Sequence, residues 1–208
     1  MLLRLQKLLI RKDSLPRRVL IPESIDSKLE RIAERPFETS GFLFYEENEK
    51  LGRIDNLVRG MYITGVGNKS SVKAEMDCVR VTYKFLETHH EYRIIDWHTH
   101  PRGLPHASPI DMQTISEHME KNPARISLII GRGESGMIAT GYGTGQISAE
   151  KVLDPADRQY HEVAIRRGLN SAAQEIGMQM RPKPMPRGFM LTAYTLFNEP
   201  INYFRNLI

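Results

Sequence analysis

The stretch DWHTHPRGLPHASPID, residues 96–111, decides the fold because it joins the end of one strand to the start of one helix. The apolar approach RIIDW predicts a central strand that runs into the two histidines. Side chains alternate between the two faces of a strand, so His98 and His100 are expected on the same face. Trp97 lies between them in the sequence and is therefore expected on the opposite face, in the core.

The same stretch ends in the pattern of a helix start. In SPID, Ser108 is expected as the N-cap, Pro109 at the first helical position and Asp111 at the third, as the acid of a capping box. Such a turn holds the carboxylate rigidly where it can bend back over the strand end. Two imidazoles and one carboxylate suit Zn²⁺ and leave a fourth position for water. The stretch therefore predicts a zinc centre made of His98, His100 and Asp111.

Each half of this pattern also has an ordinary structural interpretation. Two histidines at a strand end are often partly exposed side chains without a metal, and SPID taken alone is usually a helix cap. The cap and the metal site do not exclude each other, since a cap can fix a ligand. The combined spacing of H-x-H, seven residues, S, two residues and D is difficult to obtain by chance and favours the metal site.

The spacing H-x-H-P-x6-S-x-x-D resembles the JAMM motif of the JAB/MPN-domain metalloproteases. The residues that match the motif are His98, His100, Pro101, Ser108 and Asp111. The family also has an upstream glutamate that is followed within a few residues by a glycine and a hydrophobic strand. The segment ETSGFLF is similar to that element and identifies Glu38. The resemblance covers about residues 20–147.

This resemblance implies a zinc-dependent hydrolase that cleaves a peptide or isopeptide bond. It implies that His98, His100 and Asp111 hold one zinc ion with a bound water. Glu38 is then expected to move the proton from that water to the leaving amine, and Ser108 to donate a hydrogen bond to the oxyanion. The expected substrate is the C-terminal tail of a ubiquitin-like protein or conjugate.

Two other functions remain open from the sequence. Some members of the family have lost metal ligands and act as non-catalytic scaffolds that bind partners. A zinc hydrolase of small amide conjugates would use the same residues without a protein substrate. Specificity depends on groove-lining residues that the sequence does not place, so it does not decide between the two kinds of substrate.

The order of elements predicts a mixed α/β (α+β) domain over residues 18–150. An amphipathic helix is expected from about residue 23 to residue 35, where Pro36 stops it. The segments RIDNLVRG and MYITGVG are expected as two separate strands, and MDCVRVTYKFLETHHEY as a helix. The resemblance adds a JAB/MPN-like arrangement, with a central β-sheet flanked by helices in cytidine-deaminase-like layers.

The two ends of the chain are expected to lie outside this domain. Residues 1–17 form a basic N-terminal extension, and residues 151–208 a helical C-terminal extension with a proline-rich linker at 181–188. The apolar segment after the linker is expected to pack on its own domain or on a second subunit, so a homo-oligomer is possible through this extension.

Charge and composition exclude some classes of partner. The first 18 residues carry six Arg or Lys and one Asp, and residues 151–208 carry eight basic and five acidic residues, which leaves a net charge of −4 between them. Because the core is mildly acidic, nucleic acid is not an expected partner. No apolar run approaches the roughly 20 residues of a membrane span. The single cysteine, Cys78, fits a cytoplasmic protein.

Overall fold

The computed structural model describes residues 15–50, 52–101, 103, 105–133 and 136–178. Most of the predicted N-terminal extension, the linker at 181–188 and the apolar segment after it lie outside the described residues. No helix within the described part of the chain is long and apolar enough to cross a membrane.

Seven strands form one mixed sheet in the order β6-β5-β4-β2-β3-β1-β7. The strands are β1 Arg17–Pro22, β2 Thr39–Lys50, β3 Arg53–Val66, β4 Arg93–Thr99, β5 Ile126–Gly133, β6 Gly136–Gly143 and β7 Ile147–Val152. The pairs β2–β3, β2–β4 and β5–β6 are antiparallel. The pairs β1–β3, β1–β7 and β4–β5 are parallel. The prediction of a mixed α/β domain is therefore confirmed.

The sheet curls until its two edge strands nearly meet. A Cβ atom built on Gly141 of β6 would lie 2.4 Å from Cγ2 of Ile147 on β7, so glycine allows the two edges to approach. Helices lie against both faces, as expected, but the sheet is closer to a barrel than to the flat central layer of a JAB/MPN-like or cytidine-deaminase-like arrangement. The predicted layering is wrong in this respect, because β1 pairs in parallel with β7, the last strand of the described residues.

Four helices complete the described part of the fold, and they are α1 Glu23–Ala33, α2 Met76–Leu86, α3 Pro109–Lys121 and α4 Arg158–Glu175. The buried side of α1 follows the predicted helical spacing, with Ile25, Leu29, Ile32 and Ala33. Helix α2 is shorter than the predicted segment. The Thr88 hydroxyl donates to the Phe85 carbonyl at 3.1 Å, a local hydrogen bond that competes with helix continuation.

One further sequence prediction needs correction, and one strand was missed. The segments RIDNLVRG and MYITGVG form one continuous strand, β3, because the 12-residue strand β2 pairs with both halves and Gly60 lies opposite Phe44 within the ladder. Strand β7 was not predicted from the sequence. The alternation of apolar and polar residues in β7 is weak. Its place in the sheet depends on parallel pairing with β1, which lies 130 residues away in the chain.

The core consists of two apolar clusters on opposite faces of the sheet. Leu43 and Tyr45 of β2 pack in the cluster that includes α1, whereas Phe44 packs in the cluster that includes α2 and α4. Phe44 meets Phe85 edge to face, with ring centroids 5.3 Å apart. Such a pair contributes about 0.5–1.5 kcal/mol beyond its buried area. Trp97 is only 2% exposed and belongs to the first cluster, so its predicted core position is confirmed.

Helix α4, which the sequence assigned to the C-terminal extension, contributes to the second cluster. Its buried residues include Ile165, Leu169, Ala172 and Ala173. Gly60 of β3 faces it closely, since a Cβ atom there would lie 2.8 Å from Cδ1 of Ile165. The folded unit therefore uses residues beyond position 150.

Asp55 gives the fold a specific pH dependence. Its carboxylate is buried and accepts two hydrogen bonds from Arg18 at 2.8 and 3.1 Å, with Lys50 and Arg53 at 3.1 and 3.3 Å. The Arg18 hydrogen bond is the largest cause that lowers the pKa of Asp55 to about 2. An unfolded aspartate has a pKa of about 3.9. The Asp55 carboxylate therefore stabilises the fold above roughly pH 4, and this contribution is lost as the pH falls towards 2.

We therefore expect Asp55→Asn to lower the free energy of unfolding by about 2 kcal/mol at pH 7. The difference from the wild type should shrink between about pH 4 and pH 2. Urea unfolding followed by circular dichroism across this range measures it. Asp77→Asn, on the exposed surface of α2, is the matched control and should show no such difference. A difference in the free energy of unfolding that stays constant at every pH would contradict the role of the Asp55 carboxylate.

Candidate metal centre

The two histidines occupy the end of β4 on the face opposite Trp97. His98 is the second-last residue of the strand, and His100 follows the strand directly. The backbone N–H of His100 still donates to the Ile130 carbonyl of β5 at 2.8 Å, so strand geometry extends to this residue. Both imidazoles therefore reach the same side, as the alternation predicted. Their side chains are 21% and 17% exposed, which leaves them open to a ligand.

The helix start at SPID forms as the sequence predicted. The Asp111 N–H donates to Oγ of Ser108 at 3.2 Å, and the Ser108 N–H donates to Oδ2 of Asp111 at 2.8 Å, which is a complete capping box with Pro109 in the first turn. The loop before it is anchored as well, because the Ala107 N–H donates to the Tyr142 hydroxyl at 2.9 Å. These contacts fix the direction of the Asp111 carboxylate.

Three ligand atoms converge at this place. Nε2 of His98 lies 3.1 Å from Nε2 of His100. Oδ1 of Asp111 lies 3.3 Å from Nε2 of His98, and Oδ2 lies 3.3 Å from Nε2 of His100. Tetrahedral bonds of about 2.0–2.1 Å would place neighbouring ligand atoms roughly 3.3 Å apart. The group could therefore hold a metal ion, and its spacing fits a small tetrahedral ion without movement of the backbone.

The charges at the centre favour the forms that bind a metal. Burial lowers the pKa of His98, although the nearby Asp111 carboxylate opposes that shift. Burial would raise the pKa of Asp111, but the hydrogen bonds from Ser108 and the neighbouring imidazoles outweigh it and lower the pKa. A metal requires a neutral imidazole and an ionised carboxylate. Both conditions are favoured at neutral pH.

Glu38 comes to the centre through the pairing of β2 with β4. Ser40 lies opposite His98 in this antiparallel ladder, and the Thr39 N–H donates to Oγ1 of Thr99 at 3.0 Å. Two residues further along the same register, Glu38 would lie level with His100. Burial raises the pKa of Glu38, while His100 lowers it and Asp111 raises it further, which indicates a carboxyl group within electrostatic reach of the centre.

The glycine three residues after Glu38 has a steric reason. A Cβ atom on Gly41 would lie 2.2 Å from the Tyr62 carbonyl oxygen and 2.7 Å from Cζ2 of Trp97. Only glycine permits β2 to approach β3 and the Trp97 ring at this point. Since Glu38 directly precedes β2, the spacing from glutamate to glycine in ETSG connects the core packing to the metal centre.

Sequence reasoning missed three features around the centre. Ser40 shares the face of His98 through the β2–β4 register, which requires knowledge of the strand pairing. Both carboxylate oxygens of Asp96, two residues before His98, accept hydrogen bonds from Arg125. Tyr142 anchors the loop before Ser108 from β6. No local signal in the sequence indicates these contacts, because each joins segments distant in the chain.

Comparisons with known proteins do not assign a family. No family model matches the chain, and no curated protein matches it. The solution structure of protein DSY2949 from Desulfitobacterium hafniense is similar to 69% of this chain over 98% of its own length, with 14% identity and a TM-score of 0.47. The resemblance to JAB/MPN metalloproteases therefore stays a prediction from the motif.

Proposed function

We propose that the protein is a zinc-dependent hydrolase that cleaves a peptide or isopeptide bond, in the manner of a JAMM-type metallopeptidase. The observation that carries the proposal is the convergence of His98, His100 and Asp111 at 3.1–3.3 Å, with the Glu38 carboxyl group within electrostatic reach of His100 and Asp111. Structural zinc sites normally use four protein ligands, whereas three ligands leave an open position for water, beside which a carboxyl group can act as a base. Zinc is favoured because the donor set is two imidazoles and one carboxylate.

Glu38 and Ser108 have separate roles in the proposed reaction. When bound, Zn²⁺ would lower the pKa of a coordinated water towards about 7 and polarise the scissile carbonyl. Glu38 accepts the proton of the attacking water and returns it to the leaving amine, a role that suits a carboxyl group whose pKa is raised by burial. Ser108 is held beside the ligand Asp111 by the capping box, and its hydroxyl would turn from the Asp111 carboxylate to donate to the developing oxyanion.

The proposed substrate is the C-terminal tail of a ubiquitin-like protein or conjugate. The motif resemblance supports this class. The surface beside the centre supports it too, since Ile110 and Met112, which flank Asp111 on α3, are 77% and 44% exposed. Exposed apolar side chains at this position can contact the apolar residues of an extended tail. The proposal depends on the centre and not on the layering of the sheet, which curls more than a JAB/MPN-like arrangement requires.

We expect the purified protein to contain about one zinc per chain and to release ubiquitin-like proteins from C-terminal amide fusions. Metal analysis after purification without chelator, together with a panel of ubiquitin-like fusions and short fluorogenic peptides, tests both points. A protein with no zinc affinity would instead favour a non-catalytic scaffold. Cleavage restricted to the short amides would replace the proposed substrate with small conjugates.

A further inference from the structure

Ser40 occupies a distinctive position beside the proposed metal centre. It is the residue directly opposite His98 in the antiparallel pair β2–β4. Directly opposed residues of antiparallel strands present their side chains on the same face, with Cβ atoms about 4.5–5.5 Å apart. The Ser40 hydroxyl is therefore a cross-strand neighbour of the His98 imidazole, on the face of the sheet that carries His98 and His100.

The Ser40 hydroxyl is buried without a hydrogen-bond partner among the described residues. The backbone around it explains the burial. A Cβ atom on Gly65 of β3 would lie 2.9 Å from Oγ of Ser40 and 2.2 Å from the Lys73 carbonyl oxygen, so strand and loop backbone cover the hydroxyl. A buried polar group with no partner costs stability, and each such group in a folded protein calls for an explanation.

The His98 ring has a complementary requirement. Its Nε2 faces His100 and Asp111, which leaves Nδ1 for a second contact. A histidine that binds a metal almost always donates its other ring N–H to an acceptor, which fixes the tautomer and the ring direction. The nearest carboxylate along β4 is Asp96, but Arg125 donates to both of its oxygens.

We propose that Ser40 is a positioning residue for the metal ligand His98, and that its hydroxyl accepts a hydrogen bond from the Nδ1–H of His98 when Nε2 holds the metal. This inference depends on the proposed metal centre. The two groups face each other across the paired strands, and in this proposal the hydroxyl gains its partner only in the metal-bound protein. Ser40 thus favours the metal-bound state over the metal-free state.

The test is to measure zinc affinity and metal-free stability separately in Ser40→Ala. Competition with a chelator of known affinity should show zinc binding weakened by roughly 10–100-fold. The thermal midpoint of the metal-free variant should equal or exceed that of the wild type, because the substitution removes a buried hydroxyl that has no partner. A residue with a merely structural role would show the reverse, with a lower midpoint and unchanged affinity.

Two further variants control the measurement. Ser40→Thr keeps the oxygen and should bind zinc within about threefold of the wild type, given that outer-shell losses are usually tenfold or more. Ser127→Ala, on the neighbouring strand β5 opposite Asp96, should leave zinc affinity unchanged. Wild-type zinc affinity in Ser40→Ala, or a fall in its metal-free midpoint, would overturn the inference. A wild-type protein that binds zinc but hydrolyses nothing would overturn the proposed function alone.

Discussion

Replacement of Glu38 with glutamine should reduce hydrolysis by about 10²–10⁴-fold while zinc stays bound. Glutamine keeps the size and hydrogen-bonding capacity of the side chain but cannot accept the proton of the attacking water. The three ligand atoms belong to His98, His100 and Asp111, so the metal does not depend on Glu38. The backbone of Glu38 is held by hydrogen bonds to Asn68 and Gly67 at 2.7 and 2.8 Å, which the substitution leaves in place.

The experiment compares activity, zinc content and thermal midpoint in wild type, Glu38→Gln and Glu120→Gln. Glu120 is exposed on α3, so its variant removes the same charge away from the proposed reaction. Full activity in Glu38→Gln would remove the proposed mechanism. Loss of zinc from the same variant would show that Glu38 is a metal ligand, which would contradict its assignment as the base.

Replacement of His98 with alanine should abolish zinc binding at concentrations that saturate the wild type. The remaining His100 and Asp111 would form a two-ligand site, and zinc sites normally use three or four protein ligands. At a free zinc concentration about 100 times its dissociation constant, the wild type should gain about 2.7 kcal/mol of stability. For a chain of this size that corresponds to a rise of roughly 5–10 °C in thermal midpoint.

This zinc-dependent rise should be absent in His98→Ala and intact in His106→Ala. His106 is an exposed histidine in the loop between His100 and Asp111, so its variant controls for the loss of an imidazole near the site. Calorimetric scans with and without zinc, together with metal analysis, provide the measurement. One equivalent of tightly bound zinc in His98→Ala would show that the metal is held elsewhere.

The sequence by itself predicted the features that depend on local periodicity. The alternation of a strand placed His98 and His100 on one face and Trp97 on the other, because successive strand side chains point to opposite sides. The capping box at Ser108 and Asp111 followed from short-range hydrogen bonding within four residues. The buried side of α1 followed from helical spacing. Each of these is set by neighbours in the chain.

Only the tertiary structure decided which of these elements meet. Glu38 reaches the centre because β2 pairs with β4 about 60 residues away, in a register that no local period specifies. The near-closure of the sheet depends on the parallel pairing of β1 with β7. The second core cluster depends on the packing of α4 against the sheet. Strand registers and helix docking are chosen by the total burial and hydrogen bonding of distant segments. The sequence could therefore identify His98, His100, Asp111 and Glu38 as candidates, whereas the strand pairing that brings Glu38 towards the others and the unpartnered hydroxyl of Ser40 could not be predicted.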